Sequence, residues 1–475
     1  MPWRETVEPV RMQRVALVAP QESWRRVLVS VADSGVMQVD RVTDASESAP
    51  TEAARALQRV AGDHVPEPVL SPEAPDLSAL EHQVPADQAA ALLAGEADLA
   101  AVSGDAVRRG SVAAVTGWVP AREIPGLAAR LADSGGGVVP LPTPRGTDPP
   151  TMLQRRGRVG RSFEPLVRTY ATVPYADIDP TLVAGLAYVF MFGMMFADAG
   201  HGLLLVGVGL LLRAGRLRRA ARFRHVWPFV VGAGISATVF GVLFGEFFGP
   251  TGVLSPLWLD PLEEPIPLLG AAIGVGAVML AGSYALGTVN RWRESGWQAA
   301  LVAQSGLAGV ALFAGLGFVA WGVAVRLTPL VVAGAVVAVA GIALTYIGLL
   351  AAAGGGGAGA AQATVEVFDA VIRLGTSLVS FARLAAFGLA HAALTALVWQ
   401  GVTALAGQGP LGWVGAVVLF VVGNAVIFGF EALVAGIQAL RLEYYELFSR
   451  VFVGEGRPFE PWHVPTARTV PSPEV

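Results

Sequence analysis

Leu378-Val379-Ser380-Phe381-Ala382-Arg383-Leu384-Ala385-Ala386-Phe387-Gly388-Leu389-Ala390-His391-Ala392 lies inside an apolar run from 364 to 406. About 20 apolar residues suffice for a helix to cross the hydrocarbon core of a bilayer, so this run is long enough with residues to spare. Its arginine sits mid-span, where a charge costs at least about 2.5 to 3.5 kcal/mol on insertion scales. The neighbours are small: Ala382, Ala386 and Ala390 lie close to the arginine's face at helical spacing, with Gly388 nearby. Small residues let a second helix approach closely.

The run that follows, 411 to 452, also carries polar groups where lipid should be. Glu431 and Gln438 are seven apart and nearly superposed on one helical face, and Arg441 lies further along. Both runs exceed what a bilayer requires, which predicts helices that tilt strongly or project beyond it. Length and polar breaks place six more spans: a tight pair inside 181 to 213, split at Asp198-Ala199-Gly200-His201-Gly202, then 227 to 248, 267 to 289, 299 to 325 and 329 to 352. Arg213, Arg216, Arg218, Arg219, Arg222 and Arg224 crowd one loop, and Arg291 and Arg293 mark another. The positive-inside rule makes both loops cytoplasmic, giving eight crossings with both termini in the cytoplasm of a multi-pass cell-membrane protein. Pro250 to Pro265, with Asp260, Glu263 and Glu264, falls on the opposite side.

Composition agrees with the membrane class: 53% of residues are hydrophobic and 15% charged, with a mean hydropathy of +0.56. A net charge of -4, with no arginine stripe interleaved with aromatics, argues against nucleic-acid binding. The absence of cysteine excludes disulfides, thiolate catalysis and Cys-ligated metal. Met1 to Val10 carries charges of both signs and no apolar run, so no signal peptide is expected and the soluble part belongs in the cytoplasm.

That soluble part, 1–162, reads as a small α+β domain built from two βαβ-like units. In the first, Arg14 to Val18 and Gly35 to Val42 are strands around a helix from Gln21 to Ser34; in the second, Ser111 to Trp118 and Gly137 to Leu141 flank a helix from Pro120 to Ser134. Between them, 45–110 is rich in Ala, Glu, Asp and Pro, with short helix-compatible pieces at Thr51 to Ala61 and Pro85 to Leu99. Residues 163–180 approach the membrane, 181–452 form the eight-helix domain, and 453–475 form a cytoplasmic tail.

Several residues read two ways. Arg383 is either a structural ion pair with Glu431 or Glu366 or a functional charge. Arg441, near a helix end, fits a snorkelling arginine. His391 is either a neutral histidine satisfied by a neighbouring helix or a proton carrier. Asp198 and His201 read as a structural pair closing the hairpin by hydrogen bonds rather than as ion conductors. The run Gly354 to Gly357 lacks the flanking strand and lysine of a phosphate cradle, and no cofactor or metal is expected.

At these residues the sequence resembles the V-type and archaeal-type ATPase subunit a, or subunit I, family. The likeness runs through Phe163-Glu164-Pro165, Pro174-Tyr175, Asp179-Pro180-Thr181, the stretch Phe192 to Gly202, Arg383-Leu384, Leu389 to Ala392, Glu431-Ala432-Leu433, Gln438 to Leu442, Gly454-Glu455-Gly456 and Phe459-Glu460-Pro461. Met12 to Val18 and Gly117 to Pro120 resemble its N-terminal domain. The resemblance implies a non-catalytic stator subunit whose soluble domain holds peripheral stalk subunits E and G/H, and whose membrane domain presents two half-channels to a rotor ring of proteolipid c/K subunits. It matches Arg383 to the arginine that meets each rotor carboxylate and Arg441 to its partner. Glu431 and Gln438 fall at half-channel positions, with His391 and Glu366 as weaker correspondences. Relatives carry a long coiled-coil arm where this chain has only 45–110. The rival readings are a secondary ion-coupled transporter and a non-conducting membrane scaffold; no repeat relates the first four spans to the last four, and a scaffold leaves Arg383 and Glu431 unexplained.

Overall fold

A computed structural model describes residues 8–41, 50–61, 66–144, 147–153, 158–215, 223–452 and 456–467. The chain divides into two compact units, one of residues 9–153 with 456–475, the other of 1–8 with 154–455.

In the first unit the order is β1 (Met12–Pro20), α1 (Trp24–Ser34), β2 (Gln38–Val39), α2 (Glu52–Val60), α3 (Leu77–Gln83), α4 (Ala86–Gly104), β3 (Val107–Arg109), β4 (Val112–Pro120), α5 (Ile124–Asp133) and β5 (Gly137–Pro140). Strand β1 buries Val15, Leu17 and Ala19, the period-2 pattern of a strand with one face on the core. Helix α1 buries Trp24, Val27, Leu28 and Val31 and ends on Gly35 in the left-handed region, whose N–H bonds the Val31 carbonyl. The sheet order is β2-β4-β1-β5, with β3 paired to β4 and every pairing antiparallel. The two βαβ units are therefore split and interleaved: β4 of the second lies between β2 and β1 of the first, and β1 lies between β4 and β5. Gly117 makes the β2 contact possible, since a Cβ there would lie 2.3 Å from the Gln38 carbonyl oxygen.

Two segments beyond the sheet complete this core. Arg25 on α1 makes a fork to Glu96 on α4, with N–O distances of 2.7 and 2.6 Å. The tail 456–467 docks by Trp462 N–H to the Met37 carbonyl at 2.8 Å, Val464 N–H to Ala32 at 3.2 Å and a parallel bridge between Leu70 and Thr466. Trp462 and Val464 join the core itself.

The second unit is helical: α6 (Arg158–Arg168), α7 (Thr181–Met195), α8 (Ala199–Arg213), α9 (Trp227–Phe244), α10 (Pro265–Val302), α11 (Leu307–Ala324), α12 (Thr328–Ala352), α13 (Gly356–Ser380), α14 (Ala382–Ala406) and α15 (Pro410–Leu442), followed by a π-helical turn, Glu443–Phe448, and α16 (Ser449–Val451). Six helical stretches among the described residues are long and apolar enough to cross a membrane, the last two of 51 and 42 residues. Helices α7 and α8 have 15 residues each, about 22 Å at about 1.5 Å per residue, less than the roughly 30 Å of a hydrocarbon core.

The structure departs from the sequence reading at several points, and the run 364–406 is divided between α13 and α14, which meet at Phe381. Helices α7 and α8 pack against α9 more than against each other, because glycines open both contacts: a Cβ on Gly193 of α7 would lie 2.6 Å from Ser236 Cβ, and one on Gly241 would lie 2.1 Å from Ala199 N of α8. The break falls at Phe196 to Asp198, and Ala199 to Gly202 already form the first turn of α8, with Asp198 as its N-cap. Helix α9 stops at Phe244, where Gly245 turns left-handed at φ 77°, so 245–248 is loop.

Candidate functional site

The break between α7 and α8, the loop after α9, and helices α14 and α15 converge on one buried group. Asp198 accepts from His201 N–H at 2.9 Å, Phe248 N–H at 3.0 Å and Gly249 N–H at 2.8 Å. It thus ties the start of α8 to the loop after α9 rather than bridging α7 and α8. Helix α14 reaches the break because Gly388 leaves room, a Cβ there lying only 3.2 Å from the Met194 carbonyl oxygen. This places His391 Nε2 at 3.8 Å from Asp198 Oδ2, while His391 Nδ1 hydrogen-bonds Glu431 on α15. His201 Nδ1 lies 3.6 Å from Asp198 Oδ2.

The surroundings are aromatic. Phe196 stacks near both histidines, at centroid distances of 5.8 Å from His201 and 5.3 Å from His391, and Phe428 and Phe248 close the box around His201. Asp198 and His201 are 0% exposed and His391 2%, so their charges act in a low-dielectric setting. Glu246, 4% exposed, shares the chamber and acts electrostatically on the same histidine. Glu246 carries in the sequence the same signal as Arg383, an ionisable group inside an apolar run.

Eight residues before His391 on α14, about 12 Å along the axis at about 1.5 Å per residue, stands Arg383. It is half-buried beside a recess of about 620 Å³ lined by Pro265, Leu268, Val379, Ala382, Ala386 and Leu389. Among the described residues no carboxylate pairs with it within 4.0 Å; the charges that act on it are Arg441 and Glu446. Both partners of the structural alternative are engaged elsewhere, Glu431 by His391 and Glu366 by Gln362 at 2.9 Å. Arg441 is exposed on the side of α15 and Gln438 is half-buried one turn before it. Antiparallel α14 and α15 therefore carry two polar levels, a carboxylate–histidine level and an arginine level. Glu366 joins neither.

Chemically, His391 is placed to accept a proton on one ring nitrogen and release it from the other, between two carboxylates. Arg383 is placed to offer a permanent cation to a charge arriving from outside the chain.

Long apolar helices around a buried carboxylate–histidine cluster mark the class of multi-pass membrane proteins. The sequence profile of the V-type ATPase 116kDa subunit family matches residues 104–232. The A-type ATP synthase subunit I of Thermococcus kodakarensis is 28% identical over 397 residues, covering 78% of this chain and 57% of that protein. The subunit of the same name from Pyrococcus horikoshii is 27% identical over 360 residues, 73% of this chain and 53% of its own. The V-type ATP synthase subunit I 2 of Treponema pallidum is 37% identical over 152 residues, 30% of this chain and 34% of its own. The chain is thus similar to V-type and A-type ATP synthase subunits I, and it spans little more than half the length of the archaeal relatives it matches.

Proposed function

We propose that the chain is the stator membrane subunit of a V/A-type rotary ATPase, carrying ions past a rotor ring while ATP chemistry proceeds on other subunits. The observation that supports this reading is Arg383: a guanidinium in the first turn of α14 with no carboxylate among the described residues within 4.0 Å, on a face kept low by Ala382, Ala386 and Ala390. A rotor carboxylate in hydrocarbon is neutral when protonated and costly when ionised unless a fixed cation compensates it. Arg383, with Arg441 beside it, supplies that cation, favours proton release into one half-channel and bars direct leakage between the two. His391, Glu431 and Asp198 supply polar steps of one half-channel, and Gln438 lies between the levels.

Six long helices plus the short α7 and α8 support eight crossings. Residues 9–153 and 456–475 form one compact unit, and a chain that leaves and rejoins one unit crosses a bilayer an even number of times, so both ends lie on one side. The Arg-rich loops put that side in the cytoplasm. Peripheral stalk subunits E and G/H then bind the sheet domain, and a ring of proteolipid c/K subunits faces α14 and α15.

The test is Arg383→Ala in the assembled complex, read as ATP-driven ion uptake into reconstituted vesicles alongside ATPase activity and complex yield. Expression and assembly should survive, since alanine is a good helix former and a buried charge is removed, while coupled uptake is lost. Near-normal uptake by an assembled complex overturns the assignment.

A further inference from the structure

Among the described residues, several ring and carboxylate atoms in the buried chamber have no hydrogen-bond partner within 3.5 Å: both nitrogens of His201, which the Asn424 side chain faces, Nε2 of His391 and Oε2 of Glu246. Buried polar atoms are nearly always satisfied, so this set points to something that binds there. Asp198, His201 and His391 each offer one ligand atom, all three atoms within 4.8 Å of one another. Two of the separations are 3.6 and 3.8 Å. A tetrahedral ion with bonds of about 2.0 to 2.2 Å needs ligand atoms about 3.3 to 3.6 Å apart, so sub-ångström movements of side chains close the set.

The second shell has the matching form. Glu431 holds Nδ1 of His391, which leaves Nε2 as the free donor and fixes the ring, the arrangement that carboxylates impose on metal-bound histidines. The backbone amides of His201, Phe248 and Gly249 hold the Asp198 carboxylate in place. Two imidazoles and one carboxylate suit zinc, cobalt, nickel or copper and are poor ligands for magnesium or calcium.

We propose that Asp198, His201 and His391 form a binding site for a divalent transition-metal ion of the zinc class, with Glu431 orienting His391 from behind. An ion there occupies His391 Nε2 and removes it from proton exchange. That consequence, unlike the site itself, rests on the proposed ion pathway.

The experiment uses the full chain in detergent, stripped by a chelator and equilibrated for hours with Co²⁺, because the site is closed to solvent. Co²⁺ absorption in the visible, metal retained after desalting, and displacement by Zn²⁺ are measured. The expected result is one tightly held ion per chain with a tetrahedral spectrum, lost in His201→Gln and in His391→Gln and retained in His82→Gln. Glu431→Gln, which leaves all three ligands in place, should weaken binding about 10- to 100-fold and carries the test if the histidine variants fail to fold. No retained ion in the wild-type chain, or retention undiminished by all three variants, overturns the proposal. Zn²⁺ inhibition of ATP-driven uptake by the assembled complex separates the two ideas: a bound ion without inhibition keeps the site and overturns the pathway.

Discussion

Burial, and after it the Glu294 carboxylate, push the Asp177 carboxyl up to about 8. Asp177 precedes α7, with both oxygens buried beside the Glu294 carboxylate, while its neighbour Ile178 donates its N–H to Asn290 on α10 at 3.1 Å. Its folded value lies above the ordinary 3.8, so the folded state binds the proton more tightly. The resulting stabilisation is full below about pH 4 and is lost as pH rises through about 8. Asp177→Asn imitates the protonated form, so it should raise the thermal midpoint of the purified chain at about pH 9 and change little at about pH 5. An equal shift at both pH values would show that charge is not the cause. At this scale Arg383 was legible from sequence because a lone charge in an apolar run stands out, and its lack of a carboxylate partner among the described residues was not, because partners are set by packing. His391 and Glu431, 40 residues apart, carried no sign of being in contact.

The pairing of α8 with α9 depends on glycines where backbone meets backbone. Gly241→Val should be severe: even its Cβ would lie 2.1 Å from Ala199 N and 2.5 Å from the Asp198 carbonyl carbon, so the N-cap of α8 must move. Overpacking of this kind costs about 1 to 3 kcal/mol or more, and Asp198 would lose its alignment with His391. Gly274→Ala on α10, with nothing within 4 Å of its Cβ, should be neutral or stabilise by up to about 1 kcal/mol through helix propensity. Thermal unfolding of both variants in one detergent checks the contrast, and similar losses at the two positions would refute it. The apolar runs revealed the long helices because length and hydropathy are local properties. The position of the break was not legible, because Gly200 and Gly202 look like helix breakers and in fact let the first turn of α8 pack closely on Phe248 and Thr238. The strands and helices of the sheet domain were legible from period-2 and helical patterning. Their interleaving was not, because nothing local in β1 says whether its neighbour will be β2 or β4.

The first unit is assembled from stretches far apart in the chain. Deleting 456–475 removes Trp462 and Val464 from its core, a loss of about 3 to 5 kcal/mol for a tryptophan-sized side chain alone. Asp33 also loses Thr466, whose hydroxyl and then amide hydrogen bonds hold its carboxyl below the ordinary range. The truncated protein should insert normally while residues 9–153 become rapidly cleaved by trypsin. Resistance equal to that of the full chain would mean the tail is only an accessory. Because Trp462 and Val464 are made after every membrane helix, the sheet domain emerges from the ribosome first yet cannot close until the last span has been synthesised. A chain stalled or cut within the membrane part leaves the Leu70 edge and the carbonyls of Ala32 and Met37 unpaired, the kind of open backbone edge that invites misassociation. The docked tail thus works as a seal on the membrane part: only a chain that has been carried through its last span can cover that edge.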